Sequence, residues 1–194
     1  MPKTLAEMTN EELWKLFPII ISDHDPEWKN RYPEEKKRIE KVIGCHNLCR
    51  INHIGSTAVP GLLSKPTIDI LLEIENETDI AHLISQMEAT GYLHSPQPEN
   101  APPHLMFLKG YTPEGFRGQV FHVHVRYCGD WDELYFRDYL RTHAETADEY
   151  GKLKLELRRE FEHDRDGYTH AKTDFIKKTT LAARRELGEK YKPR

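Results

Sequence analysis

Phe121, Val123 and Val125 alternate with His122, His124 and Arg126, the period-two pattern of a strand with one packed face. The same period puts Ile68, Ile70, Leu72 and Ile74 on the apolar face of a strand over residues 67–74. Thr67, Asp69, Leu71 and Glu73 take the other face. Asp69 lies in an apolar stretch and needs a partner, whereas Glu73, nearer the strand end, is expected in solvent. Residues 48–54 read as a strand and Ile19–Ile21 as a brief buried one. Residues 104–109 and 119–126 read as two more, joined by the loop GYTPEGFRG.

Elsewhere the period is that of a helix. Thr9-Asn10-Glu11-Glu12 has the form of a capping box and opens a short helix with Leu13, Leu16 and Phe17 on its buried side, stopped by Pro18. A charged helix over 26–43 presents Trp28, Tyr32, Ile39, Val42 and Ile43, with a kink or break expected at Pro33. Ile80, Leu83, Ile84 and Met87 recur at helical spacing before Gly91, and residues 95–103 form a proline-rich loop. Three helices are predicted over 131–142, 144–163 and 168–188. Together these elements predict an α+β fold: a mixed β-sheet of about five strands with helices packed against it, and further helices at the C-terminus. The expected division is a helix and strand over 1–24, one domain over 25–188, and a frayed tail over 189–194.

Composition narrows the function. A net charge of −4 gives no broad nucleic-acid surface, although a local cationic pocket remains compatible with it. Three cysteines without framework spacing, Cys45, Cys49 and Cys128, suggest reduced thiols and a cytoplasmic protein. The N-terminal residues lack a signal-peptide core, and no run is long enough for a membrane span, so no membrane partner is expected.

The chemistry concentrates in HIGSTAVPGLLSKPTIDI, residues 53–70. Gly55 lets backbone approach a ligand closely, and the N–H groups of such a turn attract phosphate. Ser56 and Thr57 add hydroxyls, and Lys65 adds a cation near the same mouth. A Gly-Ser turn is equally at home in a purely structural connection, and Lys65 in a solvated loop. His122 and His124, two apart on one strand, can converge on one ion or phosphate, or sit on an edge strand without a ligand. Turn, carboxylate and histidines can meet only if their strands are neighbours, as sequential strands usually are.

With VFHVHV at 120–125, LYFRDYLRTH at 134–143, YTHAKTDFI at 168–176 and Asp25-Pro26-Glu27-Trp28, this stretch resembles the GrpB family, assigned to the nucleotidyltransferase-like superfamily. The resemblance spans about residues 25–176 and implies a nucleotidyltransferase-type fold. There a Gly-Ser turn holds phosphates, here Gly55 and Ser56, and paired carboxylates hold two magnesium ions. Asp69 matches the second carboxylate; the first falls on Thr67, and the third where this chain has His122 or His124. Two ions about 3.5–4 Å apart need more negative charge than that. This departure from the pattern therefore points to one divalent ion, manganese, zinc or magnesium, on Asp69, His122 and His124, and the resemblance implies a nucleotide as a possible ligand. The imidazoles favour the softer metals.

Arg137 is placed to clamp a phosphate with Asp138 beside it, or to form an ordinary ion pair. Tyr168 and Lys172, four apart, share a helix face that can close over a base and a phosphate. The expected binding set is thus Gly55, Ser56, Thr57, Lys65, Arg137 and Lys172, and the expected catalytic set Asp69, His122 and His124. Three activities suit them: nucleotidyl or phosphoryl transfer at one metal, binding of a nucleotide or other small phosphorylated ligand without turnover, and metal-assisted hydrolysis.

Overall fold

The computed structural model describes residues 3–193. Thr9 caps the first helix, α1 (Asn10–Leu16): its hydroxyl accepts from the Glu12 N–H and the Glu12 carboxylate accepts from the Thr9 N–H. Then follow α2 (Trp28–Ile43), β1 (Leu48–Ile54), β2 (Thr67–Ile74), α3 (Ile80–Ala89), β3 (Leu93–Ser95), β4 (Leu105–Thr112) and β5 (Gly115–Tyr127). Four helices close the chain: α4 (Asp132–Thr142), α5 (Ala144–Phe161), α6 (Arg165–Ala171) and α7 (Thr173–Leu187).

The strands form one five-stranded mixed sheet in the order β1-β2-β5-β4-β3. β2 and β5 run parallel, and the other neighbours run antiparallel. Trp28, Ile39 and Ile43 of α2 and Leu83 and Met87 of α3 cover one face, packing on Ile68, Ile70, Leu72, Ile74, Val123 and Val125. Glu35 of α2 lies buried under this layer and accepts from Tyr92 Oη at 2.9 Å, Lys109 Nζ at 2.7 Å and Arg38 Nη1 at 2.8 Å. Leu71, on the opposite face, packs with Ile54 and with Leu134 of α4. With both faces covered, the Asp69 face is a wall between sheet and helices. No helix among the described residues is long and apolar enough to cross a membrane.

Several expectations are corrected. Ile19–Ile21 is no strand: Ile19 packs beside Leu157 and Tyr168 and its N–H donates to the Glu162 carbonyl at the end of α5, while Ile20 is exposed. Only Ser22 makes a bridge, to Ser64. The fifth strand is β3, whose three residues are too short to show a period. GYTPEGFRG is no open loop, because β4 and β5 continue through it to a turn at Thr112–Gly115. Gly110 (φ +91°) makes the irregularity; a Cβ there would meet the Gln119 carbonyl oxygen at 2.9 Å. Pro33 does not divide α2, for it removes one backbone bond while Trp28, Ile39 and Ile43 anchor both ends of the helix. The stretch 168–188 is two helices, the last turn of α6 and then α7, meeting at Lys172.

Glu73 is fully buried, not solvated. It accepts two bonds from Arg50, both at 2.6 Å, and one from the Gly129 N–H at 3.1 Å. The three cysteines are not all reduced: Cys49 and Cys128 are disulfide-bonded and Cys45 is the exposed free thiol. Leu48 and Tyr127 both pair with Ile74 at the end of β2, which brings their sequence neighbours Cys49 and Cys128 within 5.9 Å, Cα to Cα. Tyr191, expected to fray, packs edge-on to Tyr135 and bonds through its hydroxyl to Arg137 and Asp138.

Candidate functional site

β1 ends opposite the site: Ile54 pairs with Asp69, and Gly55 follows at φ +69°, ψ −172°, a conformation open essentially to glycine alone. A short 3₁₀ turn, Ser56–Ala58, then carries the chain away. A Cβ on Gly55 would come within 2.5 Å of Asp69 Oδ2. Glycine is required twice, by the backbone angle and by the carboxylate. Gly55→Ala is therefore expected to lower stability by roughly 1–3 kcal/mol and displace Asp69; denaturant unfolding of the variant checks the first effect and metal titration the second.

Parallel pairing sets Asp69 beside His122 and Leu71 beside His124, so all three polar side chains project from one patch of the sheet. Asp69 Oδ1 lies 3.4 Å from His122 Nδ1 and 3.3 Å from His124 Nε2. Charge-assisted hydrogen bonds are shorter, about 2.7–2.9 Å. Ligands sharing one tetrahedral ion with bonds of about 2.0–2.2 Å sit roughly 3.3–3.6 Å apart. One candidate ligand atom from each residue lies within 4.8 Å of the others. The two separations from Asp69 Oδ1 suit ligands of one divalent ion, and the donor set has too little charge for two. His122 Nε2 lies 2.7 Å from Tyr111 Oη, which orients the ring with Nδ1 toward Asp69. Burial pushes His122 down to about 4, so its imidazole is neutral near pH 7, the form that ligates. Burial pushes the Asp69 carboxyl up, but its bonds to the two imidazoles outweigh this and hold it ionised below its ordinary range.

Beside this trio opens a cleft of about 860 Å³ walled by Gly55, Ser56, Lys65, Lys154, Arg165 and Lys172. Lys154, buried on α5, donates to Ser56 Oγ at 3.0 Å and to the Leu63 carbonyl, and stands over the Tyr150 ring at 4.5 Å. Lys172 Nζ lies 4.3 Å and Lys65 Nζ 5.7 Å from the centre of the Tyr168 ring. Among the described residues none of the four cations has a carboxylate partner within 4.0 Å. Burial, then mutual repulsion, pushes Lys65 and Lys154 down to about 7; burial pushes Lys172 down to about 8. Such a cluster calls for an anion.

The sign of the resulting pH dependence is fixed. A lysine whose folded pKa lies below its unfolded value of 10.5 destabilises the fold fully below the folded pKa, and the effect disappears as pH rises past the unfolded one. A bound anion reverses this by favouring the charged amines. Sulfate, which does not titrate in this range, is expected to raise the melting temperature most at pH 7 and to bind at least about tenfold more weakly at pH 9; thermal melts and calorimetry across that window check it.

Not every expected residue reaches the cleft. Thr57 is buried; its Oγ1 donates to the Thr67 carbonyl at 3.0 Å and lies 2.9 Å from His53 Nε2, so its hydroxyl is spent on the turn. Arg137 is buried away from the cleft and bonds Asp138, Asn52 Oδ1, the His53 carbonyl and Tyr191 Oη. It ties α4 to β1. Lys154 and Arg165 were not singled out from the sequence. Tyr150 and Lys154 repeat the i, i+4 spacing of Tyr168 and Lys172, the one signal that marks the first; Arg165 has none.

The class is that of an α+β protein with a five-stranded mixed sheet, on one face of which Asp69, His122 and His124 cluster beside a cationic cleft. A family model described as GrpB protein matches residues 18–181, and the chain belongs to that family. It is 37% identical over 159 residues to a UPF0157 protein of Pseudomonas aeruginosa, covering 81% of this chain and 64% of that one. It is 32% identical over 162 residues to the glutamate-rich protein GrpB of Alkalihalophilus pseudofirmus, covering 81% of this chain and 91% of that one. The crystal structure of the conserved protein GrpB from Enterococcus faecalis matches with a TM-score of 0.73 at 28% identity, over 87% of this chain and 99% of that one. The chain thus spans less than two thirds of the Pseudomonas relative.

Proposed function

We propose that this protein binds a small phosphorylated ligand, a nucleotide among the candidates, and transfers a nucleotidyl or phosphoryl group from it at a single divalent ion. The observation that carries the reading is the juxtaposition of one ion-sized ligand set, Asp69, His122 and His124, with four cations that have no carboxylate of their own. The ion would polarise a phosphoryl oxygen. Lys65, Lys154, Lys172 and Arg165 hold the phosphates and offset the charge that develops as the bond to the leaving group breaks. Ser56 Oγ, held by Lys154, and the Gly55 turn position a phosphate against Asp69. Kinship to a nucleotidyltransferase-like superfamily belongs to this reading, with Thr67 in place of its first carboxylate.

Thr67 also supports a second reading, a module that binds the same ligand without turnover, since it brings no charge to a metal. One experiment separates the two. The protein is incubated with each nucleoside triphosphate, acceptor alcohols and amines, and Mn²⁺, Zn²⁺ or Mg²⁺, and pyrophosphate and phosphate release are measured. Transfer predicts release dependent on Mn²⁺ or Zn²⁺ and lost in Asp69→Asn. Binding without release over hours sinks transfer and leaves the module.

A further inference from the structure

A second cavity of about 630 Å³ adjoins the cationic cleft and shares with it Gly55, Ser56, Asp69, His124 and Tyr150. None of the four cations of the cleft lines it. Its walls differ in kind: Trp131 and Phe136 from the start of α4, with Ile176 of α7, present rings and apolar surface beside Tyr150. Its charge has the opposite sign. Asp130, Asp132 and Glu133 lie along it against one guanidinium, Arg184, which is consumed by Asp130 at 2.7 Å and Asp132 at 2.5 Å. Glu133 has no salt-bridge partner among the described residues. Thr180 of α7 is 5% exposed, lines this cavity, and its Oγ1 has no hydrogen-bond partner. A buried hydroxyl left unpaired is unfavourable, and a bound molecule that pairs with it relieves that.

Phosphate is disfavoured here by the carboxylates, while aromatic walls suit a planar ring and, with Glu133, a cation. We propose that this cavity is a second subsite, for a neutral or cationic ring-bearing organic group, the part of the reactants that carries no phosphate. It deepens the phosphorylated-ligand reading of the adjoining cleft and rests on that reading for its role. The shared wall of Asp69, His124 and Ser56 is then where the two reactants, or the two halves of one ligand, face each other.

The test uses three probes with one ring and different charge, benzylamine, benzyl alcohol and benzoate, titrated into the full-length ¹⁵N-labelled protein. The readouts are the Trp131 indole N–H and the Thr180 amide. Benzylamine is expected to bind tightest, and benzoate at least about tenfold more weakly than benzylamine. Thr180→Val is expected to weaken benzyl alcohol by about fivefold, and Glu133→Gln, at a half-exposed position, to shrink the advantage of benzylamine over benzyl alcohol. Tripolyphosphate, titrated in parallel, is expected to move resonances of Lys154 and Lys172 with an affinity indifferent to Thr180→Val. The subsite is overturned if no ring probe moves the two signals, if benzoate binds as well as benzylamine, or if tripolyphosphate competes benzylamine off. Benzylamine binding without any tripolyphosphate binding upholds the subsite and removes the phosphate reading instead.

Discussion

Asp69→Asn is expected to abolish retention of a divalent ion while leaving the chain folded. Asparagine keeps the shape of the side chain but replaces the one charged ligand by a weak neutral oxygen, leaving two imidazoles. The loss exceeds the 10–100-fold typical of disturbing a ligand's supporting partner, so at least about 100-fold in affinity is expected. Zn²⁺ and Mn²⁺ titration calorimetry with elemental analysis after dialysis measures it, and far-ultraviolet circular dichroism reports the fold. The same substitution has an opposite effect on anions when no metal is present. Asp69 is the carboxylate that supports the charged form of Lys65 and Lys172 and repels an incoming phosphate. Below about pH 6, where both lysines stay charged without that support, sulfate should bind more tightly to Asp69→Asn than to the parent, as no structural role for Asp69 would predict. Unchanged metal and sulfate affinities in a folded variant would end the metal-site proposal.

The largest effect on stability is expected from Glu73→Ala. The Glu73 carboxylate is fully buried and satisfies Arg50 Nε and Nη2 and the Gly129 N–H, and Arg50 Nη2 donates onward to the Gly129 carbonyl at 2.6 Å. Removing one partner of a buried pair leaves the other charge uncompensated, which is unfavourable by about 3–5 kcal/mol. Urea unfolding should show a lower midpoint with an unchanged slope. Replacing both partners with apolar residues, as in Arg50→Met with Glu73→Leu, should recover most of the loss. A Glu73→Ala loss under about 1 kcal/mol would mean that water reaches the carboxylate.

The parts of this fold legible in the sequence are those carried by local period and capping. The boundaries of β1 and β2, the capping box at Thr9 and the histidine face of β5 each depend on a few adjacent residues. Asp69, His122 and His124 were readable together because strand alternation fixes facing and sequential strands tend to be neighbours. What the sequence hid were partners. Thr57 and Arg137 carry the right donors for phosphate, but Thr67, Asn52 and Tyr191 absorb those donors from positions distant in the chain. Glu73 looked solvated because strand position alone does not announce Arg50, its direct partner on the neighbouring strand β1. Lys154 belongs to a helix so rich in charge that one buried lysine leaves no mark, and Cys49 and Cys128 meet only through the strands on either side of β2.

The parallel register of β2 and β5 has a bearing on how the molecule comes together. The β4–β5 hairpin is local and closes through a tight turn, so it can form early; docking β5 on β2 joins residues 53 apart at Asp69 and His122, and the entropy of that closure comes before its reward. The cluster of Asp69, His122 and His124 therefore exists only after the most non-local contact of the sheet is made. Until then the nascent chain offers only scattered histidines, so an ion bound through this cluster would report maturation of the whole sheet.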